Sequence, residues 1–212
     1  MSERTVPTGI KELDEKLNGG LPVGLTMIYG KANTNKLTLA LKLCINNINN
    51  GYSTLIVTSH PHLILYKLNQ MNVQIDKSKM YFIQTKSIID QMNVSLMVLN
   101  GYLRYDLIII DNMGEYYRIS SDLYTPLTIW KLAVKIMMLL GYASKKYAVP
   151  IVLLTQIRRN PKTGKEEPVM GNAVLFWSEN VIHLRKIEGK TQIVVERYQG
   201  QQVNYEIIYE DQ

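Results

Sequence analysis

Short β-branched apolar runs alternate with amphipathic stretches along the chain, the pattern of strands and crossover helices in a mostly parallel sheet. Leu25-Thr26-Met27-Ile28-Tyr29 predicts a strand that enters a turn at Gly30, and a helix follows from about Lys36 to Asn50, ended by Gly51. The alternation continues with a strand at Thr54-Leu55-Ile56-Val57-Thr58, a helix from about His62, a strand near Met80-Tyr81-Phe82-Ile83 and a helix from about Ser87 to Asn100. Leu107-Ile108-Ile109-Ile110 is the most apolar run and suits a central strand buried on both faces, with Asp111 at its carboxyl end. An amphipathic helix is predicted from Leu127 to Tyr147, stopped before Pro150, and Ile151-Val152-Leu153-Leu154 forms the next buried strand. After Gly171 the rhythm changes. Val181 to Lys186, Gln192 to Arg197 and Asn204 to Tyr209 alternate with short polar turns, the mark of an antiparallel meander.

With 212 residues, 46% of them hydrophobic, the chain suits a single α/β domain spanning 1–212. Cys44 is the only cysteine, which excludes a disulfide scaffold and is compatible with a reducing compartment. No run approaches the roughly 18 uninterrupted apolar residues of a membrane span, and the opening segment lacks an apolar signal core, so a cytoplasmic protein without a membrane partner is expected. Lys and Arg exceed Asp and Glu by 24 − 18 = 6, a surplus that permits a nucleic-acid partner without requiring one. Among 14 tyrosines, Tyr116 and Tyr117 are best placed as stacking faces for bases. Trp130, Trp177 and Met137-Met138-Leu139-Leu140 read as packing residues, and the paired asparagines Asn46-Asn47 and Asn49-Asn50 as compositional bias. No zinc-ligand spacing, nucleophilic triad or paired-carboxylate arrangement is evident.

Chemistry concentrates in Gly30-Lys31-Ala32-Asn33-Thr34-Asn35-Lys36-Leu37-Thr38, which lies between a strand and a helix, where a G-x-x-x-x-G-K-[ST] phosphate loop belongs. Gly30 and Lys36 keep the spacing, so backbone N–H groups and one ammonium can face an anion at a helix N-terminus. Asn35 replaces the second glycine and is the non-glycine type that best tolerates a left-handed backbone. Leu37 replaces the hydroxyl residue that binds magnesium and has no oxygen to offer. Thr38 carries a hydroxyl one residue on, about 100° further around the helix. A plain strand–turn–helix with an incidental lysine is the competing reading.

With its surroundings, this segment resembles the RecA/RadA recombinase superfamily, and most closely the short RadB-like recombinase paralogues of archaea. Pro7-Thr8-Gly9-Ile10-Lys11-Glu12-Leu13-Asp14, then Gly19-Gly20-Leu21-Pro22-Val23-Gly24, is similar to the family's entry to the first strand. Asp106 to Asp111 resembles its Walker B strand, and Leu154-Thr155-Gln156-Ile157-Arg158 its strand-end segment. The resemblance implies a RecA-like P-loop NTPase core and ATP as ligand, contacted by Gly30, Asn35, Lys36, Thr38, Asp111 and Gln156. It implies that Asp111 orients magnesium (Mg), whose binding is weakened here by Leu37, and that Gln156 senses the terminal phosphate.

Departures from the family bear on activity. The strand after the first helix ends in Thr58-Ser59-His60-Pro61, where active relatives carry a glutamate that polarises the attacking water. Weak or absent ATP hydrolysis is therefore expected, with no catalytic residue assigned. His60 and His62 read either as a loop pair without chemistry or, for His60, as a proton acceptor. A DNA role is expected of Arg158, Arg159, Lys162 and Lys165, in a loop punctuated by Pro161 and Gly164, and more weakly of Arg118. DNA, single-stranded above all, and a RadA-type recombinase are the implied partners, in a homo- or hetero-oligomer, with a role in recombination or repair. The family's separate N-terminal DNA-binding domain is not expected. An active DNA-dependent ATPase, a KaiC-like signalling ATPase paralogue and a scaffold for an active relative remain the alternatives.

Overall fold

In the computed structural model, which describes residues 4–116, 124–160, 164 and 166–210, the predicted alternation becomes one twisted sheet with helices on both faces. Helix α1 (Lys11–Lys16) leads to strand β1 (Gly24–Gly30), followed by α2 (Lys36–Asn49), β2 (Thr54–Thr58), α3 (Pro61–Gln70), β3 (Met80–Gln84), α4 (Ile88–Leu99) and β4 (Leu107–Asp111). Then come α5 (Pro126–Tyr147), β5 (Pro150–Arg159), β6 (Glu166–Pro168), α6 (Asn172–Trp177), β7 (Asn180–Ile187), β8 (Lys190–Tyr198) and β9 (Gln201–Tyr209). The strand order is β3-β2-β4-β5-β1-β7-β8-β9, with β6 pairing beside β5. Strands β3 to β7 along that order run parallel, and β7, β8 and β9 form the expected antiparallel meander.

Strand side chains point alternately to opposite faces, and each central strand divides accordingly between two hydrophobic clusters. Ile28, Ile56, Ile109 and Val152 pack against α2 and α3. Met27, Val57, Ile108, Ile110 and Leu153 pack against α4 and α5. Both faces being covered, the β4 run Leu107–Ile110 has no polar side to show. Helix α5 starts with Thr125 accepting from the Thr128 N–H and with Pro126 in its first turn, and ends in left-handed Ala148 at φ 52°. It is the one helix among the described residues long and apolar enough to cross a membrane. Its stripe Ile129, Ala133, Ile136, Met137 and Leu140 is buried in the cluster against the sheet.

Four features depart from the sequence expectations. Helices α1 and α6, six residues each, are too short to show a periodicity. Strand β5 continues past Leu154 to Arg159, because Ile157, Arg158 and Arg159 pair with Pro168, Glu167 and Glu166 in a hairpin. Arg158 and Arg159 therefore stand on a strand, not in a loop. Trp130 is 43% exposed and is no packing anchor. Asn47, read as compositional bias, is buried and structural: its amide donates to Ser53 O and Thr54 Oγ1 and accepts from Arg4 at 2.7 Å.

Candidate nucleotide site

The carboxyl ends of adjacent parallel strands β2, β4, β5 and β1 converge on one edge of the sheet, the position at which open α/β folds bind ligands. In β1, Gly30 is held so close to β7 that an added Cβ would lie 2.3 Å from Leu184 O and 2.6 Å from Thr34 Oγ1, so no side chain fits. The loop then turns through left-handed Asn33 (φ 60°) and Asn35 (φ 63°), the second immediately ahead of α2. Asparagine occupies the left-handed region that a second glycine would occupy, as its residue type allows. Asn35 Nδ2 also donates to Thr191 Oγ1 at 3.0 Å, tying the loop to β8.

Lys36 folds back along the loop and donates to Gly30 O at 3.0 Å and Lys31 O at 2.5 Å. Burial lowers its pKa to about 8, with Asp111 pulling it up. Asp111, at the end of β4, is pushed up to about 6, first by burial and then by Glu115, against the pull of Lys36 and His60. Two oppositely charged, partly desolvated groups thus act on each other electrostatically. Gln156 on β5 lies in register with Gly30, and its carbonyl accepts from the Val169 N–H at 2.8 Å. Gly30, Asn35, Lys36, Asp111 and Gln156, far apart in sequence, occupy one strip.

Thr38, buried one turn into α2, lines a crevice with Asn35, Ile10, Lys42, Thr191 and Tyr209 on the side of α2 that faces the meander. Leu37 packs against the α2 hydrophobic cluster. Tyr116 is 5% exposed and donates to Thr85 O at 2.5 Å, so it is no stacking face; burial raises its pKa. Tyr117, Arg118, Lys162 and Lys165 lie outside the described residues. Arg158 forms an ion pair with Glu167 at 2.8 Å, and Arg159 Nε donates to Gly164 O at 3.1 Å. Bonds from Asn160 and Arg158 hold the Glu167 carboxyl below the usual range.

Three groups near the strip escaped the sequence reading. Glu115, four residues past Asp111, accepts from Ser59 Oγ at 2.5 Å and meets His60 Nε2 at 3.2 Å, so the tip after β2 is fastened to the loop after β4. Lys31 bridges Glu166 at 2.6 Å, joining the phosphate loop to the β5–β6 hairpin. Tyr29 and His183 stack at 4.2 Å, and both meet Glu196 on β8. Burial and Glu196 together drive the Tyr29 hydroxyl well above its ordinary pKa. Their only sequence clue is proximity to motif residues: Tyr29 precedes Gly30, Lys31 follows it, and Glu115 follows Asp111 within one turn.

The donor set suits a nucleoside polyphosphate. A tight glycine, a helix N-terminus, a half-buried ammonium and a half-buried carboxylate lie along one edge of the sheet, a donor set that phosphates with a hydrated cation can use. Magnesium commonly keeps several waters and takes one or two protein carboxylates, a role Asp111 fits, while Leu37 offers it nothing. Among the described residues, no three His, Cys, Asp or Glu side chains converge as a metal cluster.

A mostly parallel sheet of this order, flanked by helices, with a tight strand–turn–helix after β1 and an acid ending β4, fits a RecA-like core. A family model described as the KaiC ATPase matches residues 6–199, and the chain belongs to that family. It is a RadB-like member of the RecA superfamily. It is 27% identical over 220 residues to the DNA repair and recombination protein RadB of Methanosphaera stadtmanae, covering 96% of this chain and 93% of that protein. The RadB proteins of Methanoculleus marisnigri (24% over 207 residues, 94% and 92% covered) and Thermococcus gammatolerans (26% over 206 residues, 90% and 88% covered) are similar to it as well.

Proposed function

We propose that the chain is a nucleotide-binding recombinase paralogue that acts in homologous recombination or DNA repair through DNA, a RadA-type recombinase, or both, and turns over ATP slowly at most. Membership in an ATPase family and likeness to proteins named for DNA repair and recombination support the general role. The observation that carries the nucleotide reading is the convergence of the half-buried Lys36 and Asp111, which act electrostatically on each other, beside the close-packed Gly30 turn. Slow turnover is supported by Leu37, which packs against a hydrophobic cluster and offers no hydroxyl to magnesium, and by the β2 tip Thr58-Ser59-His60, which carries no carboxylate. Loss of one such element commonly lowers rates by about 10²- to 10⁴-fold.

Titration of the protein with a fluorescent ADP analogue tests this reading, with magnesium and with EDTA. Binding that persists in EDTA with only a few-fold loss, and that Lys36→Ala abolishes, is the expected outcome. No binding in either buffer refutes it. The KaiC match also favours a second reading, a signalling ATPase of the same family, which predicts DNA affinity independent of Arg158 and Arg159.

A further inference from the structure

Hydrolysis of a terminal phosphate requires a group that takes the proton of the attacking water, and a carboxylate near the phosphates is suited to it. The β2 tip, Thr58-Ser59-His60, has none. The neighbouring strand end has one to spare: Thr58 lies opposite Asp111 in the β2–β4 ladder, and the loop after Asp111 returns Glu115 to the β2 tip. Its side chain is only 20% exposed, against 52% for His60. One oxygen is fixed by Ser59 Oγ at 2.5 Å and the other by His60 Nε2 at 3.2 Å. With Thr58 opposite Asp111 and the carboxyl ends of β2, β4, β5 and β1 along one edge of the sheet, this carboxylate stands on the edge that also carries the Gly30 loop.

We propose, resting on the nucleotide reading above, that Glu115 is the catalytic carboxylate of this chain, delivered from the loop after β4, with Ser59 and His60 as its positioning residues. The water oxygen bonds to the terminal phosphorus as the bond from that phosphorus to the β,γ-bridging oxygen breaks. The electron pair leaves with the diphosphate, and the water's proton passes to a Glu115 oxygen and from there to solvent. Each carboxylate oxygen has two acceptor positions, so one remains for the water beside each fixed hydrogen bond.

The test compares the parent with Glu115→Gln, Glu115→Asp and His60→Asn by fluorescent-ADP titration, phosphate release from ATP and the imidazole ¹⁵N spectrum. We expect ADP-analogue affinity within about twofold throughout, phosphate release reduced about 100-fold in Glu115→Gln and less than about tenfold in His60→Asn, and partial recovery in Glu115→Asp. The His60 ring signals should shift in Glu115→Gln, reporting the lost partner independently of turnover. Parental phosphate release in Glu115→Gln overturns the proposal. So does a parent that binds the ADP analogue yet releases no phosphate above blank, or a parallel loss of binding and turnover in Glu115→Gln, which would make Glu115 a structural tether. A parent that binds no ADP analogue refutes the underlying nucleotide reading and the proposal with it.

Discussion

Asp111 and Lys36, the charged groups of the proposed nucleotide site, are held at a cost to the stability of the fold. Raised from 3.8 to about 6 by burial, the Asp111 carboxyl favours its protonated form in the folded state. Its contribution to stability is therefore full below pH 3.8 and lost as the pH rises through 6. Lys36, lowered from 10.5 to about 8, has the opposite dependence: its contribution is present above 10.5 and lost as the pH falls through 8. Near neutral pH both groups are ionised at a cost. Asp111→Asn should raise unfolding stability by about 1–3 kcal/mol near pH 7, with the gain vanishing in acid, as denaturant titrations at several pH values would show. The same variant should bind nucleotide less well. Gly30, Lys36, Asp111 and Gln156 were legible because each lies in or beside a recognisable strand run, Gly30 and Asp111 at strand ends, Lys36 at a helix start and Gln156 within β5. Glu115 was not, since its importance comes from Ser59 and His60, more than fifty residues away.

Elements were read most accurately where a periodic pattern was long. Helix α5 and strand β4 lie within a residue of their expected bounds, whereas the β5–β6 hairpin, read as a flexible loop, takes its form from pairing across a turn. In that hairpin Glu167 occupies Arg158 and Asn160, so the cations offered to a polyanion are partly neutralised. Glu167→Gln should strengthen binding to single-stranded DNA. Arg158→Ala/Arg159→Ala should weaken it and reduce the slope of log affinity against log salt by about 1.4, measured by fluorescence anisotropy from low to moderate salt. Gly141, inside α5, offers a different test. A Cβ there would make ordinary contacts, 3.5 Å from Leu25 Cδ1 and 3.7 Å from Trp177 Cε3. Gly141→Ala should therefore stabilise the protein by about 0.5–1 kcal/mol, through helix propensity and a less flexible unfolded chain, seen as a higher denaturant midpoint.

At the scale of the whole molecule, one continuous sheet separates two hydrophobic clusters, and every central strand contributes to both. Neither cluster can come apart without exposing the other face of the same strands. Calorimetry should accordingly show a single transition with equal calorimetric and van't Hoff enthalpies. A nucleotide that binds only the folded state should shift that transition upward, by about 2.7 kcal/mol at one hundred times its dissociation constant.

Sequence alone determined the alternation of strands and helices, the parallel-to-antiparallel change after Gly171 and the place of the glycine–asparagine turn between β1 and α2. Those features follow from side-chain periodicity and residue type, which are local. Tertiary structure decided which polar groups meet. It turned Thr38 toward the meander, neutralised Arg158 with Glu167, buried Tyr116 and brought Glu115 to His60. Contacts of that kind depend on strand order and on the path of loops between strand ends, quantities that no single segment encodes.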